Sequence, residues 1–466
     1  GPLAGAFDGI HVLPFYLPYD GADAGFDPRD HTAVDPRLGT WDDIHRLSSG
    51  RTVMADVIVN HMSADSARFA DVRARGEASE WSGMFLTLAS VFPDGATEDD
   101  LARIYRPRPG LPFTVMELGG RRRLVWTTFT PGQVDLDIRH PATWDYLRSV
   151  IDALTSAGVT MLRLDAAGYT GKEPGTTCFM TASSDALTAR IVDHAHARGA
   201  RVLVEVHGHY RQQIEIARRV DYVYDFALPP LVLHALTAAD LHPLDTWLRI
   251  RPPNAVTVLD THDGIGIVDV GVSELLPGEP GLLEPAQIDA LVERIHANSG
   301  GTSRMATGTS ASNLDLYQVN CTFYDALARD DRRYLLARLI QLFVPGIPQI
   351  YYVGLLAGTN DMELLAATGV GRDVNRHAYR TGEVEAALAR PVVAALLVAV
   401  RLRREHPAFA GDCRWRFDGT HGDITWRHRD GAVTLSFDVA DGSFEVRYSR
   451  YGEVPAGRWT GAPVGD

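Results

Sequence analysis

Lysine is almost absent from this 466-residue chain: Lys172 stands alone, and every other one of its 45 basic residues is arginine. The bias is compositional and by itself says little about chemistry. Cysteine is scarce too. Three residues, Cys178, Cys321 and Cys413, cannot staple a chain of this length, so they read as reduced thiols in a cytoplasmic protein. Long apolar runs are missing: the longest, Val392 to Val400, is closed by Arg401 and falls well short of the roughly 20 residues that a bilayer requires. No charged-then-apolar leader opens the printed sequence at Gly1. Positive charge is in deficit, with 45 Lys and Arg against 59 Asp and Glu and a net charge of −14, which would repel phosphate backbones. Neither a nucleic-acid partner nor a membrane partner is expected. The remainder, 45% hydrophobic and 22% charged, is the composition of a globular chain with ample core.

What is present is a repeating pattern of short apolar, β-branched runs that end in a polar residue and lead into longer helical stretches. The runs are Gly9–Phe15, Thr52–Asn60, Val159–Asp165, Arg201–His207, Asp221–Phe226, Ala255–Asp260 and Ile347–Val353. Helical periodicity marks Trp144–Ala157, Asp185–Arg198, Arg211–Arg219 and Arg332–Phe343. Strand–helix alternation of this kind builds a parallel sheet covered by helices, and the polar residues at the run ends put the ligand face at the strand C-termini, as in a (β/α)8 TIM barrel. Seven strands can be counted, so the first barrel strand is expected upstream of Gly1. The barrel is expected to comprise residues 1–58, 140–264 and 329–408. Two long inserts interrupt it: an inserted domain B over 59–139, rich in Pro, Gly and aromatics, and a lid over 265–328 holding the Gly/Ser/Thr-rich tract Asn298–Ser312. Four short alternating runs from Arg414 to Tyr448, with turns at Asp430-Gly431 and Asp441-Gly442, predict an antiparallel β domain over 409–466.

Three acids stand at the predicted strand ends: Asp165, Glu205 and Asp263. Side chains at the C-termini of separate strands converge on the barrel mouth, and glycoside chemistry needs such convergence. One carboxylate attacks or guides water while a second carboxyl protonates the leaving oxygen, about 5 Å away in retaining enzymes. Crowding keeps one of the two protonated near neutral pH. Arg163 shares a strand face with Asp165 and is expected to keep it ionised. Acids at strand ends also cap helices, so each taken singly has a structural explanation.

The histidines allow a second class. Glu205, His207 and His209 alternate, and with His61 and His262 they would form a metallohydrolase cluster if His209 still belonged to the strand. His194 and His196 point apart on a helix and read as surface residues. Gly264-x-Gly266 fails as a dinucleotide loop, because Asp269 occupies the position of the third glycine.

At these residues the sequence resembles a known family. Asp56–His61, Arg163-Leu164-Asp165, Glu205 and His262-Asp263 are similar, in order and spacing, to the four motif regions of the α-amylase superfamily, glycoside hydrolase family 13. Gly346–Tyr352 resembles its eighth strand. More narrowly, Asp20–Asp27, Tyr105–Phe113, Asn313–Gln318 and Gly371–His377 resemble the sucrose phosphorylase family over nearly the whole chain. The resemblance implies a bacterial disaccharide phosphorylase, a hexosyltransferase that retains anomeric configuration by double displacement. Asp165 would attack sucrose while Glu205 protonates the departing fructose. Inorganic phosphate would then take the glucosyl group as α-glucose 1-phosphate, with Asp263 stabilising the oxocarbenium-like transition state.

The same resemblance implies a clamp on glucose hydroxyls from Asp23, His61, Arg163, His262 and Arg372, with Phe26 and Phe129 as its apolar wall. Tyr169, Gln133, Arg108, His207, Asp315, Tyr317 and Gln318 would line an acceptor subsite. Arg106 reads either as a second phosphate contact or as a surface charge, the surface being favoured. Many α-amylase relatives bind calcium near Asn60; the phosphorylases are not expected to, and the stretch after His61 lacks a clear set of oxygen ligands, so neither metal nor cofactor is expected. The chain is expected to be a monomer or homodimer. Rival readings are phosphorylases of sucrose 6′-phosphate, glucosylglycerol or glucosylglycerate, a hydrolase or transglucosidase of the same family, and a non-catalytic binding protein on the same scaffold.

Overall fold

The computed structural model describes residues 3–18, 23, 25–106, 110–273, 275–276, 278–307, 318–450 and 457–460. It divides into two compact units. The first comprises residues 8–206 and 218–223, the second residues 1–7, 207–217 and 224–466.

The first unit is built on parallel strands β1 (Gly9–Val12), β2 (Thr52–Ile58), β3 (Met161–Asp165), β4 (Arg201–Val204) and the start of β5 (Tyr222–Asp225), each paired with the next. In β2 every residue after Thr52 is buried, the signature of a strand covered on both faces. The covering helices are Pro141–Ser156 and Ala182–Ala197. Pro141 starts the first of them, behind His140, whose ring accepts from the Ala142 amide at 3.3 Å. That helix buries Leu147, Val150, Ile151 and Leu154 at helical spacing. The predicted insert over 59–139 is more than loop. It contains an antiparallel pair, His61–Ser63 with Gln133–Asp135, a hairpin, Phe113–Leu118 with Arg121–Trp126, and short helices.

The second unit holds β6 (Ala255–Thr257), parallel to β7 (Ile347–Pro348). These strands are shorter than their apolar runs suggest. Past Thr257 the chain leaves the ladder, and Tyr352–Leu355 is already helical. Asp263 therefore lies six residues beyond a strand rather than at its end. Within the Gly/Ser/Thr-rich tract, Asn298 ends the helix Pro285–Asn298, and Thr302–Thr307 is helical.

The C-terminal sheet has four antiparallel strands where alternation predicts them, Asp412–Asp418, His421–His428, Gly431–Asp438 and Phe444–Arg450, and a fifth, Gly457–Thr460. Val433, Leu435 and Phe437 alternate inward. The turn predicted at Asp430-Gly431 is Arg429-Asp430, and Gly431 opens the next strand opposite His428. Trp426 fastens the sheet by donating to the Phe343 carbonyl at 2.6 Å. The three cysteines are free thiols. Burial raises all three, Cys413 to about 12. Among the described residues no helix is long and apolar enough to cross a membrane.

Candidate active site

In the first unit, register determines which carboxylates meet. Leu164 of β3 pairs with Val204 of β4, and the Glu205 amide donates to the Leu164 carbonyl at 3.2 Å, so Asp165 and Glu205 leave adjacent strands at the same level. Arg163 lies between them. Its Nη1 is 3.3 Å from Asp165 Oδ1 and its Nη2 is 2.8 Å from Glu205 Oε1. Nη1 also donates to Asp56 of β2, whose other oxygen lies 2.9 Å from His11 Nε2 on β1. Arg163 is 2% exposed and Asp56 is fully buried, so the guanidinium is held in one orientation by three strands. It serves both acids, where the sequence pattern assigned it to Asp165 alone.

Phe26 lies against the Arg163 guanidinium, 5.5 Å from ring centre to Cζ. The Phe26 carbonyl receives His61 Nε2 at 2.8 Å and Gln133 Nε2 at 3.3 Å, and Gln133 reaches Asp23 Oδ2 at the same distance. Gln133, expected in an acceptor subsite, thus braces the Asp23–Phe26 turn. Burial pushes the His61 imidazole below its ordinary pKa. An aromatic cluster continues from His61: Phe129 meets it edge-on at 5.3 Å, Tyr169 meets Phe129 at 5.1 Å, and Phe179 lies 4.7 Å from Tyr169.

Two basic residues in this unit depart from expectation. The lone lysine is buried. Its Nζ stands 2.9 Å from Asp135 Oδ2, 3.2 Å from Asn60 Oδ1 and 3.3 Å from Thr128 Oγ1, and it donates to the Tyr169 carbonyl. This ammonium ties together the residues that precede His61 and follow Asp165. Arg106 is not a free surface charge: it donates to the carbonyls of Thr128 at 2.9 Å, Leu111 at 2.8 Å and Phe129 at 3.4 Å. It fastens the loop that carries Phe129. His196 lies on the helix surface, 2.8 Å from Asp221, whereas His194 is part-buried beside Trp144, 2.8 Å from Asp152.

In the second unit Asp263 is held by arginines. Arg372 Nη1 lies 2.7 Å from its Oδ1, Arg376 Nη2 lies 3.6 Å away, and His262 Nε2 is 3.5 Å from Oδ2. Burial alone would raise this carboxyl, but Arg372, His262 and Arg376 together hold it well below the usual carboxylate range. Asn375 and Arg376 then fix the loop by donating to the backbone: Asn375 Nδ2 to the Thr261 carbonyl at 2.7 Å, Arg376 Nε to that of His262 at 2.8 Å. Both were missed as site residues, although they fall within the Gly371–His377 segment. His207 lies against Phe226, with ring centres 3.9 Å apart, and its Nδ1 is 3.3 Å from Asp269 Oδ2.

Two of the histidines in the metal-site reading are committed to other partners. His61 Nε2 is engaged by the Phe26 carbonyl, and His209 lies beyond β4, with Nε2 on the Pro280 carbonyl at 3.1 Å and Nδ1 receiving the Arg211 amide. Arg108, Asp315 and Tyr317 lie outside the described residues.

The family model for the α-amylase catalytic domain matches residues 5–215. A sucrose phosphorylase of Bifidobacterium adolescentis is 54% identical over 94% of this chain and 87% of its own length. One from Agrobacterium vitis is 56% identical over 94% and 88%. This chain belongs to the sucrose phosphorylase family. The crystal structure of a sucrose 6F-phosphate phosphorylase from Thermoanaerobacter thermosaccharolyticum, at 33% identity, covers 98% of the chain and 91% of its own with a TM-score of 0.88. The fold class is therefore the family's (β/α)8 barrel with a C-terminal antiparallel sheet. Within the sucrose phosphorylase family the chain is a phosphorylase-type glycosyltransferase, and its acids and arginines are to be read in that light.

Proposed function

We propose that the protein transfers the glucosyl group of sucrose to inorganic phosphate, retaining configuration, and releases α-glucose 1-phosphate and fructose. One observation carries this reading: a single buried guanidinium orients both Asp165 and Glu205 at the ends of neighbouring strands. Double displacement needs two carboxyl groups on one anomeric centre. Asp165 attacks the glucosyl carbon, the bond to the fructosyl oxygen breaks, and Glu205 gives that oxygen its proton. Phosphate then attacks the glucosyl ester while Glu205, now a carboxylate, takes the phosphate proton. Asp263, kept ionised by Arg372, His262 and Arg376, has the charge required to stabilise an oxocarbenium-like transition state.

On this reading Asp23, His61, Arg163, His262 and Arg372 bind glucose hydroxyls, with Phe26 and Phe129 as the wall. Arg108, Gln133, Tyr169, His207, Asp315, Tyr317 and Gln318 serve the acceptor. Residues 59–139 act as domain B and residues 265–328 as the lid, flanking barrel segments 1–58, 140–264 and 329–408, with residues 409–466 as the C-terminal domain. Plain sucrose is favoured over sucrose 6′-phosphate because two sucrose phosphorylases are 54% and 56% identical, against 36% and 32% for two sucrose 6F-phosphate phosphorylases, although a third sucrose phosphorylase is 37% identical.

The test is a phosphate-dependence curve with sucrose as donor. Glucose 1-phosphate rising to saturation with phosphate is the expected result. Glucose released with no glucose 1-phosphate would replace the proposal with a hydrolase. Asp165→Ala should abolish exchange of labelled phosphate into glucose 1-phosphate.

A further inference from the structure

The first apolar run, Gly9–Phe15, holds one ionisable side chain, His11, which has no part in the chemistry proposed above. Strand register places it. His11 pairs with Met54 of β2, Asp56 pairs with Arg163 of β3, and Arg163 pairs with Leu203 of β4. Paired residues of a parallel sheet lie on one face, as do residues two apart along a strand. One face of four neighbouring strands therefore carries His11, Asp56, Arg163, Asp165 and Glu205 in a row.

The contacts follow that row. His11 Nε2 lies 2.9 Å from Asp56 Oδ2, while Asp56 Oδ1 accepts from Arg163 Nη1. A carboxylate only accepts, so His11 Nε2 carries a proton. Asp56 is fully buried, and its backbone is anchored separately, the Tyr16 hydroxyl donating to the Asp56 carbonyl. The carboxylate plane is thus fixed by donors on both of its oxygens, one from β1 and one from β3. Arg163 Nη1 carries two hydrogens, and it donates to Asp165 Oδ1 at 3.3 Å as well as to Asp56. The guanidinium is rigid and planar, so Nη2, 2.8 Å from Glu205 Oε1, turns whenever Nη1 is displaced. A twist of the Asp56 carboxylate therefore disturbs both acids at once.

We propose that His11 is a positioning residue for glucosyl transfer: acting through Asp56, it sets the Arg163 guanidinium and with it the aim of Asp165 and Glu205. The catalytic consequence rests on the function proposed above; the row of contacts does not. Its signature is a loss of kcat with KM for sucrose little changed. Asp165 and Glu205 act in the transition state, while the rest of the clamp still holds glucose in the ground state.

Two substitutions separate the donor from the volume. His11→Leu fills the space of the ring and donates nothing, whereas His11→Gln places an amide NH2 where Nε2 stands. In His11→Leu, kcat for phosphorolysis of sucrose should fall about ten- to hundredfold, the effect of losing one hydrogen bond to a charged group. His11→Gln should restore most of it. A purely structural histidine would instead lower the melting temperature and leave kcat of the folded enzyme unchanged. A double-mutant cycle tests the route: on an Asp56→Ala background, where the relay is already cut, His11→Leu should cost little more. In 15N-histidine-labelled protein, with His11→Gln for assignment, native His11 should show a protonated Nε2.

A native kcat in His11→Leu, equal losses in His11→Leu and His11→Gln, or a loss confined to KM overturns the proposal. So do additive losses on Asp56→Ala, or an Nε2 without a proton. Should His11→Leu not fold, His11→Met takes its place; should Asp56→Ala not fold, the contrast with His11→Gln decides. Should sucrose yield glucose and no glucose 1-phosphate, the function proposed above fails, and the same kcat ratios measured on hydrolysis still test His11.

Discussion

Lys172 Nζ and Asp135 Oδ2 form a 2.9 Å ion pair in which both side chains are almost wholly withdrawn from solvent. Removing one member of such a pair leaves the other charge buried and uncompensated, at a cost of about 3–5 kcal/mol. Lys172→Ala should therefore lower the denaturation midpoint substantially. Lys172→Arg should not restore it, because a planar fork does not fit the four oxygens gathered around a point charge. Chemical denaturation of the three proteins checks this, and a Lys172→Ala midpoint equal to that of the native protein would refute it.

Arg163 makes a second, sharper case. Arg163→Lys keeps the charge but cannot reach Asp56, Asp165 and Glu205 together, so a loss of kcat of at least about 10²-fold is expected, in line with the misplacement of positioned groups. The buried Asp56 should make the variant less stable as well. Steady-state kinetics beside a melting curve separates the two effects.

Glu205→Gln retains shape and removes the proton. With sucrose, turnover should fall by roughly 10²–10⁴-fold, the usual contribution of a general acid. With α-glucosyl fluoride, whose leaving group needs no proton, formation of the glucosyl enzyme should be largely spared. Equal losses with both donors would remove Glu205 from the role of acid.

The buried histidines set a pH dependence of stability. Burial lowers His31 to about 3 and pushes His61 downward too. Both are neutral in the folded protein, while in the unfolded chain they take up protons near the ordinary value of 6.5. The unfolded state then binds more protons, so stability is complete above about pH 6.5 and declines as pH falls toward the folded values. For His31 alone the loss at pH 5 is roughly 2 kcal/mol, at 1.36 kcal/mol per unit. Asp263 works in the opposite sense only far below this window, since its carboxyl stays ionised well under the usual range. Melting temperatures between pH 7.5 and 5 should show the decline, and His31→Asn should flatten it.

Much of this was legible in the sequence. Each of the seven apolar runs yields a parallel strand, and the two acids Asp165 and Glu205 are found where β3 and β4 end, because strand geometry is local and period-driven. What the sequence hid depends on partners distant along the chain. Arg163 looked like a neighbour of Asp165, but its contact with Glu205 depends on the β3–β4 register. Arg106 looked like a surface charge because nothing nearby indicates that it will reach the carbonyls of Thr128 and Phe129. The end of β6 was misjudged for a different reason: apolar residues continue past Thr257 without a strand to pair with. Lys172 was dismissed as compositional noise, although its very isolation was the available signal.

That isolation has a practical side. Within these 466 residues the one ε-amine is buried among oxygens and already spoken for. Amine-directed reagents, such as N-hydroxysuccinimide esters and aldehyde resins, will find almost nothing to grip on the folded surface. Attachment of this protein to a support or a dye has to proceed through its abundant carboxylates, or through a lysine placed deliberately where tethering does no harm.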